Sequence, residues 1–249
     1  MPSTKLFSGA ATAPVLTSLP TALLTALLLT ACGGGGGGAG DAGTVPPPTV
    51  AGCTPAAAPP AGSTAPQVTM AISNGAGGVS GTIVITLDPA NTPITVANFL
   101  SYVNAGFYNG TVFHRHGRNS NLSTFVLQGG GYAAPVTSAG RFPAPKATNA
   151  PIALEVGRGL SNVCYSVAMA RTGVPNSATS EFFINTTDNV FLNTSDGGYA
   201  VFGNITTGTA LVAAMSAATC NFSAANFALS SSDCVPEPNL VITSATRTR

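Results

Sequence analysis

Between Gln67 and Arg249 the sequence is cut into short β-branched runs, and that rhythm limits the possible fold more than anything else in it. GTIVITL (81–87) alternates strictly. Ile83, Ile85 and Leu87 fall on one face and Thr82, Val84 and Thr86 on the other, the period-two pattern of a half-buried strand. VTMAIS (68–73) precedes it, and Asn74-Gly75 with Gly77-Gly78 supplies a turn, so the two runs read as an antiparallel hairpin. Further strands are expected over 112–115, 125–128, 166–171, 181–185, 199–205 and 240–246.

The period changes in TPITVANFLSYVNAGFY (92–108). Thr92 can cap a helix and Pro93 suits its first position. Val96, Leu100 and Val103 recur at i, i+4 and i+7, and Gly106 stops the run. A second, shorter helix is expected over 207–217, with Leu211, Val212 and Met215 inward. Many short strands with two helices inserted predict a mainly-β fold, a closed barrel with helical caps.

Residues before 66 follow other rules. Lys5 is the sole charge before Asp41, and the apolar run 23–29 within LPTALLTALLLTAC has the length of a signal-peptide core rather than a bilayer span. Leu29-Thr30-Ala31-Cys32 resembles a bacterial lipobox, which makes 1–31 a lipoprotein signal peptide and Cys32 the lipidated residue. Two or more acyl chains hold a protein at a membrane stably. Gly33 rather than Asp follows the Cys, which by resemblance to Gram-negative lipoproteins implies the outer membrane, facing the periplasm. Residues 32–65, with a six-glycine run (33–38), Pro46-Pro47-Pro48 and Pro59-Pro60, read as a Gly/Pro/Ala-rich flexible tether. The folded domain is expected over 66–249.

Only 7% of residues are charged and the net charge is +1, with no basic stripe, so nucleic acid is not the partner. Of the five cysteines, four remain if Cys32 is lipidated. An even number in an exported chain permits disulfides. Cys220 and Cys234 flank a polar loop and are paired on that ground. Cys53 then falls to Cys164, which would staple the tether to the domain. No CxxC or Cys/His spacing suggests a metal, and His114 and His116 have no acidic or Cys partner nearby in sequence. No GxSxG is present, which argues against a hydrolase. Asn185-Thr186-Thr187 and similar triplets are expected to carry no glycan in a bacterial lipoprotein.

TPITVANFLSYVNAGFYNGTVFHR (92–115), FVLQGGGY (125–132), VAMART (167–172), NSATSEFFINTTDNVFLN (176–193) and GYAVFGNI (198–205) together resemble the cyclophilin family of peptidyl-prolyl isomerases, in the family's order and over most of 67–212. The resemblance implies a closed eight-stranded antiparallel β-barrel capped by two helices, with no cofactor. It implies that Arg115 is catalytic and that Phe125, Val126, Phe183, Phe191 and Leu192 wall a proline pocket. Gln128 would bind the carbonyl before the proline, the backbone at Ala170 and Arg171 would hold an extended peptide, and Tyr199 would stand at the pocket edge. Phe182 is expected in the core, His114 in the strand facing away from the cleft, and His116 and Arg118 at a loop surface.

The chain also departs from the family pattern. The link from FHR to the pocket phenylalanine, 116–124, is nine residues long, contains no proline, and reads as a loop insertion beside the cleft. Val126 stands where Met is common, Glu181 where Gln is frequent, and Phe191 where many members have Trp. The last change is expected to leave cyclosporin binding weak. Residues 220–233 read as an elaborated loop. Two function classes follow: an exported prolyl isomerase acting on proline-containing polypeptides as a folding catalyst, or a catalytically weak peptide-binding module or surface receptor. Nothing in the sequence demands more than a monomer.

Overall fold

The computed structural model describes residues 50, 52–57, 60, 62–75, 78–136, 143–221 and 232–249. The expected signal peptide, Cys32 and the glycine run lie outside the described residues. Among the described residues no helix is long and apolar enough to cross a membrane.

Eight strands close a barrel. β1 (Gln67–Ser73) and β2 (Ser80–Leu87) form the expected hairpin, Ser73 opposite Ser80. β3 (Thr111–Arg118), β4 (Thr124–Ala133), β5 (Ser166–Met169), β6 (Phe182–Asn185), β7 (Val201–Thr207) and β10 (Leu240–Arg247) complete it. The order around the barrel is β1-β10-β3-β4-β6-β5-β7-β2, every pairing antiparallel. Closure leaves these strands no open sheet edge. Two further short strands, β8 (Cys220–Asn221) and β9 (Val235–Pro236), pair as a separate ribbon that sequence periodicity did not reveal.

Alternation along each strand sends one set of side chains inward. Val68, Met70, Ile72, Ile83, Ile85, Leu87, Val167, Met169, Phe182 and Ile184 share one core. Rings interlock there: Phe99 lies 5.7 Å from Phe182, edge-on, and 4.8 Å from Phe202. Each such ring removes enough apolar surface from water to contribute about 1.5–3 kcal/mol. The glycines after Gln128 fit this crowding. At Gly130, with φ +85°, a Cβ would lie 2.9 Å from the Tyr108 ring and 3.1 Å from that of Phe182.

Helix α1 (Pro93–Asn104) adds Val96, Phe99, Tyr102 and Val103, all buried, to that core. Leu100 is only half-buried, because the inward stripe centres on Phe99. Thr92 does not cap through its side chain, whose hydroxyl donates to the Asp88 carbonyl. The helix start is instead served by buried Glu155, which accepts from the Thr95 N–H and hydroxyl, both at 2.8 Å. A carboxylate there answers both the free N–H groups and the positive helix end. α2 (Thr209–Ser216) buries Leu211, Val212 and Met215 as expected.

Two disulfides tie segments to the barrel. Cys53 is joined to Cys164 and Cys220 to Cys234, each with Cα atoms 5.6 Å apart. The Val50 N–H also donates to the Tyr165 hydroxyl at 3.0 Å, so the segment around Val50 and Cys53 is fastened to the barrel.

Candidate active site

The outward faces of five neighbouring strands carry the site. Arg115 on β3 stands opposite Gln128 on β4. Gln128 stands opposite Phe183 on β6, Phe183 opposite Ala168 on β5, and Ala168 opposite Val201 on β7. Since Phe182, Ile184, Val167 and Met169 point into the barrel, this row points out of it. It forms a second apolar cluster with Phe125, Val126, Ala170, Leu192 and Tyr199, separate from the barrel core. The structure thus brings together most of the residues that the sequence nominates.

The guanidinium of Arg115 is buried at the edge of that cluster. Its Nη1 donates to Gln128 Oε1 at 2.9 Å, and its Nε donates to Asp233 Oδ2 at 2.8 Å. Gln128 Nε2 in turn donates to Glu181 Oε2 at 2.8 Å, fixing the amide orientation. Gly117 reports where the free edge of the guanidinium points. A Cβ built there would lie 3.2 Å from Arg115 Nη2, 3.2 Å from the Phe125 ring edge and 2.6 Å from Val126 Cγ2. The bare glycine keeps open the space in which cation and aromatic wall meet.

The apolar wall is held from behind by amides. Asn189 Nδ2 donates to the Phe125 carbonyl and to Asn185 Oδ1, both at 2.8 Å. Asn185 reaches Asn162 and Ser166. A 3-10 turn, Val190–Asn193, carries Phe191 and Leu192, and the Leu192 N–H bonds back to Asn189. Leu192 is buried while Phe191 is 49% exposed, its ring 6.3 Å from that of Phe125. Phe191 therefore forms the rim and Leu192 the base. Phe183 meets Tyr199 edge-on at 5.7 Å.

Arg171 has a different task from the one expected of its surroundings. Its side chain is buried and donates to the carbonyls of Gly198, Asp196 and Thr172, and it lies 4.5 Å over the Tyr199 ring. It pins the 194–199 segment and so places Tyr199. The Ala170 N–H is bonded to the Glu181 carbonyl at 2.9 Å, so that donor is committed within the protein.

The segment 116–124 differs from expectation. β3 runs on to Arg118, leaving a short turn before Thr124. His116 is not a loop residue. It is 1% exposed, its backbone pairs with Cys234, and its Nε2 has no hydrogen-bond partner among the described residues. Burial first, and the Arg118 charge second, pull its pKa down to about 3. Its ring lies with Cys220 and Cys234, all three ligand atoms within 4.8 Å, but the sulfurs are spent on each other in the disulfide. His114 does not simply face away from the site. It backs it, 3.4 Å from Glu181 and ring-to-ring with Tyr132. Glu181 titrates below the usual carboxylate range: burial alone would raise it, and His114, Gln128 and Arg115 outweigh that.

Asp233, Gly117 and the asparagines 162, 185 and 189 are the site residues that sequence reasoning missed. Motif quotation covered two of the asparagines without assigning them work. Asp233 carried no signal, because its partner is 118 positions away.

The chain matches the model of the family described as cyclophilin type peptidyl-prolyl cis-trans isomerase/CLD over residues 68–247. It is 48% identical over 141 residues to peptidyl-prolyl cis-trans isomerase cyp18 of Streptomyces antibioticus, covering 55% of this chain and 78% of that one. It is 44% identical over 131 residues to peptidyl-prolyl cis-trans isomerase A of Dickeya dadantii, covering 52% and 63%. A crystal structure of a cyclophilin type isomerase from Cryptosporidium parvum aligns with TM-score 0.55 at 20% identity, over 74% of this chain and 98% of that one, a likeness of fold. With a family match over most of its length, a barrel of the same topology and close relatives that bear the activity in their names, the chain belongs to the cyclophilin-type peptidyl-prolyl cis-trans isomerases.

Proposed function

We propose that this isomerase works outside the cytoplasm, anchored through a lipid on Cys32, with Arg115 as the group that lowers the barrier. A peptide bond resists rotation by about 18–20 kcal/mol because the nitrogen lone pair is delocalised into the carbonyl. X–Pro bonds have cis and trans forms of similar energy, so only the barrier needs attention. In the twisted amide conjugation is lost and the prolyl nitrogen becomes basic. A fixed N–H donor aimed at that nitrogen stabilises the twisted state more than either planar state, which is what a catalyst requires.

The observation that carries this reading is the pinned guanidinium. Arg115 is held at Nε and Nη1, and its Nη2 edge adjoins the Phe125 ring across Gly117. A guanidinium stays protonated and offers its donors in a rigid fork. Beside an apolar wall it acts with little dielectric screening. Phe125, Val126, Phe183 and Leu192 would take the proline ring, with Phe191 and Tyr199 at its rim. Gln128, oriented by Glu181, would bind the carbonyl before the proline. The exposed Phe191 rim, in place of a larger indole, predicts weak cyclosporin inhibition of the isomerase.

Placement in the envelope rests on the signal-like N-terminus, the lipobox and two disulfides, which suit an oxidising compartment. The clients would be exported polypeptides folding there. Labelled palmitate should enter the wild type and be lost from Cys32→Ser. Incorporation into both would refute the anchor. For catalysis, Arg115→Ala should lower kcat/KM on a proline peptide by roughly 10²–10³. A wild type as slow as the variant that still binds peptide would favour a receptor.

A further inference from the structure

Asp233 lies outside every motif that identifies the family in this sequence, yet its carboxylate is the nearest charge to the catalytic guanidinium. Asp233 and Arg115 are both buried and meet at 2.8 Å through Nε. We propose that Asp233 is a positioning residue: it fixes the plane of the Arg115 guanidinium so that Nη2 is presented to the prolyl nitrogen. This rests on the reading of Arg115 as the donor.

The geometry of the fork makes the argument. A guanidinium held at one nitrogen can pivot about that bond. Held at two, its plane is set. Gln128 takes Nη1 and Asp233 takes Nε. Nε and Nη2 form one edge of the fork, and a carboxylate commonly takes both through its two oxygens. Here the second oxygen is turned elsewhere: Asp233 Oδ1 accepts the Arg118 N–H at 3.0 Å. Nη2 has no hydrogen bond among the described residues and is not among the sealed polar atoms. The one-sided grip therefore secures the arginine without consuming the donor the reaction uses.

The fold supplies the means to deliver this carboxylate. Asp233 directly precedes Cys234, whose sulfur is tied to Cys220 and whose backbone exchanges hydrogen bonds with His116 on β3, N···O 2.8 and 3.2 Å. Asp233 is thus registered against the same strand that carries Arg115. The Ser232 hydroxyl adds a bond to the Arg118 carbonyl at 3.0 Å.

The test uses the full chain, NMR exchange spectroscopy on a proline peptide, and the Arg115 Nε–H resonance. Asp233→Ala should lower kcat roughly ten- to a hundredfold with KM little changed, as expected for a misplaced catalytic group. Asp233→Asn keeps an acceptor for Nε–H and should stay within about threefold of wild type. Asp233→Glu keeps the charge but displaces the oxygen, and should fall as Ala does; it also serves if the Ala variant fails to fold. The Nε–H signal should exchange slowly in wild type and Asn, and rapidly in Ala and Glu. Asp233→Ala added to Arg115→Ala should cost nothing further. Ala and Glu variants as fast as wild type, or an additive loss in the double variant, would overturn the role of Asp233. A fully active Arg115→Ala would instead overturn the donor reading itself.

Discussion

At the scale of single residues, the site depends on what is missing as much as on what is present. Gly117 has no side chain where Arg115 Nη2, Phe125 and Val126 converge. A methyl there would enter the space between donor and wall. Gly117→Ala should therefore lower kcat/KM about tenfold or more, with the larger part in KM, since the space lost is substrate space. Stability should fall by about 1–3 kcal/mol, because Val126 must move. The check is steady-state kinetics with a denaturation curve; unchanged kinetics would show that the peptide does not pass over Gly117. Arg115, Phe125, Gln128 and Phe183 were legible through the quoted motifs. Gly117 was not, because it sits in a stretch with no apolar alternation and so read as loop.

At the scale of elements, the same stretch shows why. Strand β3 extends through HGR, three residues without a hydrophobic pattern, because backbone pairing holds it on both sides: β4 lies opposite His116, Gly117 and Arg118, and Cys234, 118 positions on, bridges to His116. Side-chain pattern cannot announce a strand that is held by backbone pairing rather than by an apolar face. The alternating β2 and the helical period of α1, by contrast, were visible in sequence, although Leu100 was placed on the inward stripe that in fact centres one residue earlier, on Phe99. The Cys220–Cys234 bridge closes a separation of 14 residues, which by loop entropy contributes about 3 kcal/mol. Replacing both cysteines with Ser should cost about that much stability. It should also reduce turnover several-fold by loosening Asp233, read by thermal melts and by the isomerase assay together. Loss of stability with full turnover would confine the bridge to a structural role.

At the scale of the whole molecule, the described residues form a barrel with the candidate site on its outer wall and two disulfides tying segments to it. One buried group gives this architecture a pH signature. His116 is neutral when folded, with its pKa down at about 3, and titrates near 6.5 when unfolded. Above about pH 6.5 neither state binds the proton and its full stability is present. Below that the unfolded state alone takes it up, so stability falls from about pH 6.5 towards pH 3, by up to about 1.4 kcal/mol per unit. Glu181, depressed in the fold, adds its own loss only below the ordinary carboxylate range. Urea melts at pH 7 and pH 5 should separate for wild type and converge for His116→Leu. An equal separation in both would show that His116 is not the titrating group.

The direct test of the central claim is the on-enzyme rate of cis–trans exchange, measured by NMR line shape for a bound Ala-Pro peptide in wild type and Arg115→Ala. The account predicts that the variant still binds, with its proline in the same aromatic hollow, while exchange slows by two orders of magnitude or more. A variant that binds equally well and exchanges as fast as wild type would contradict it.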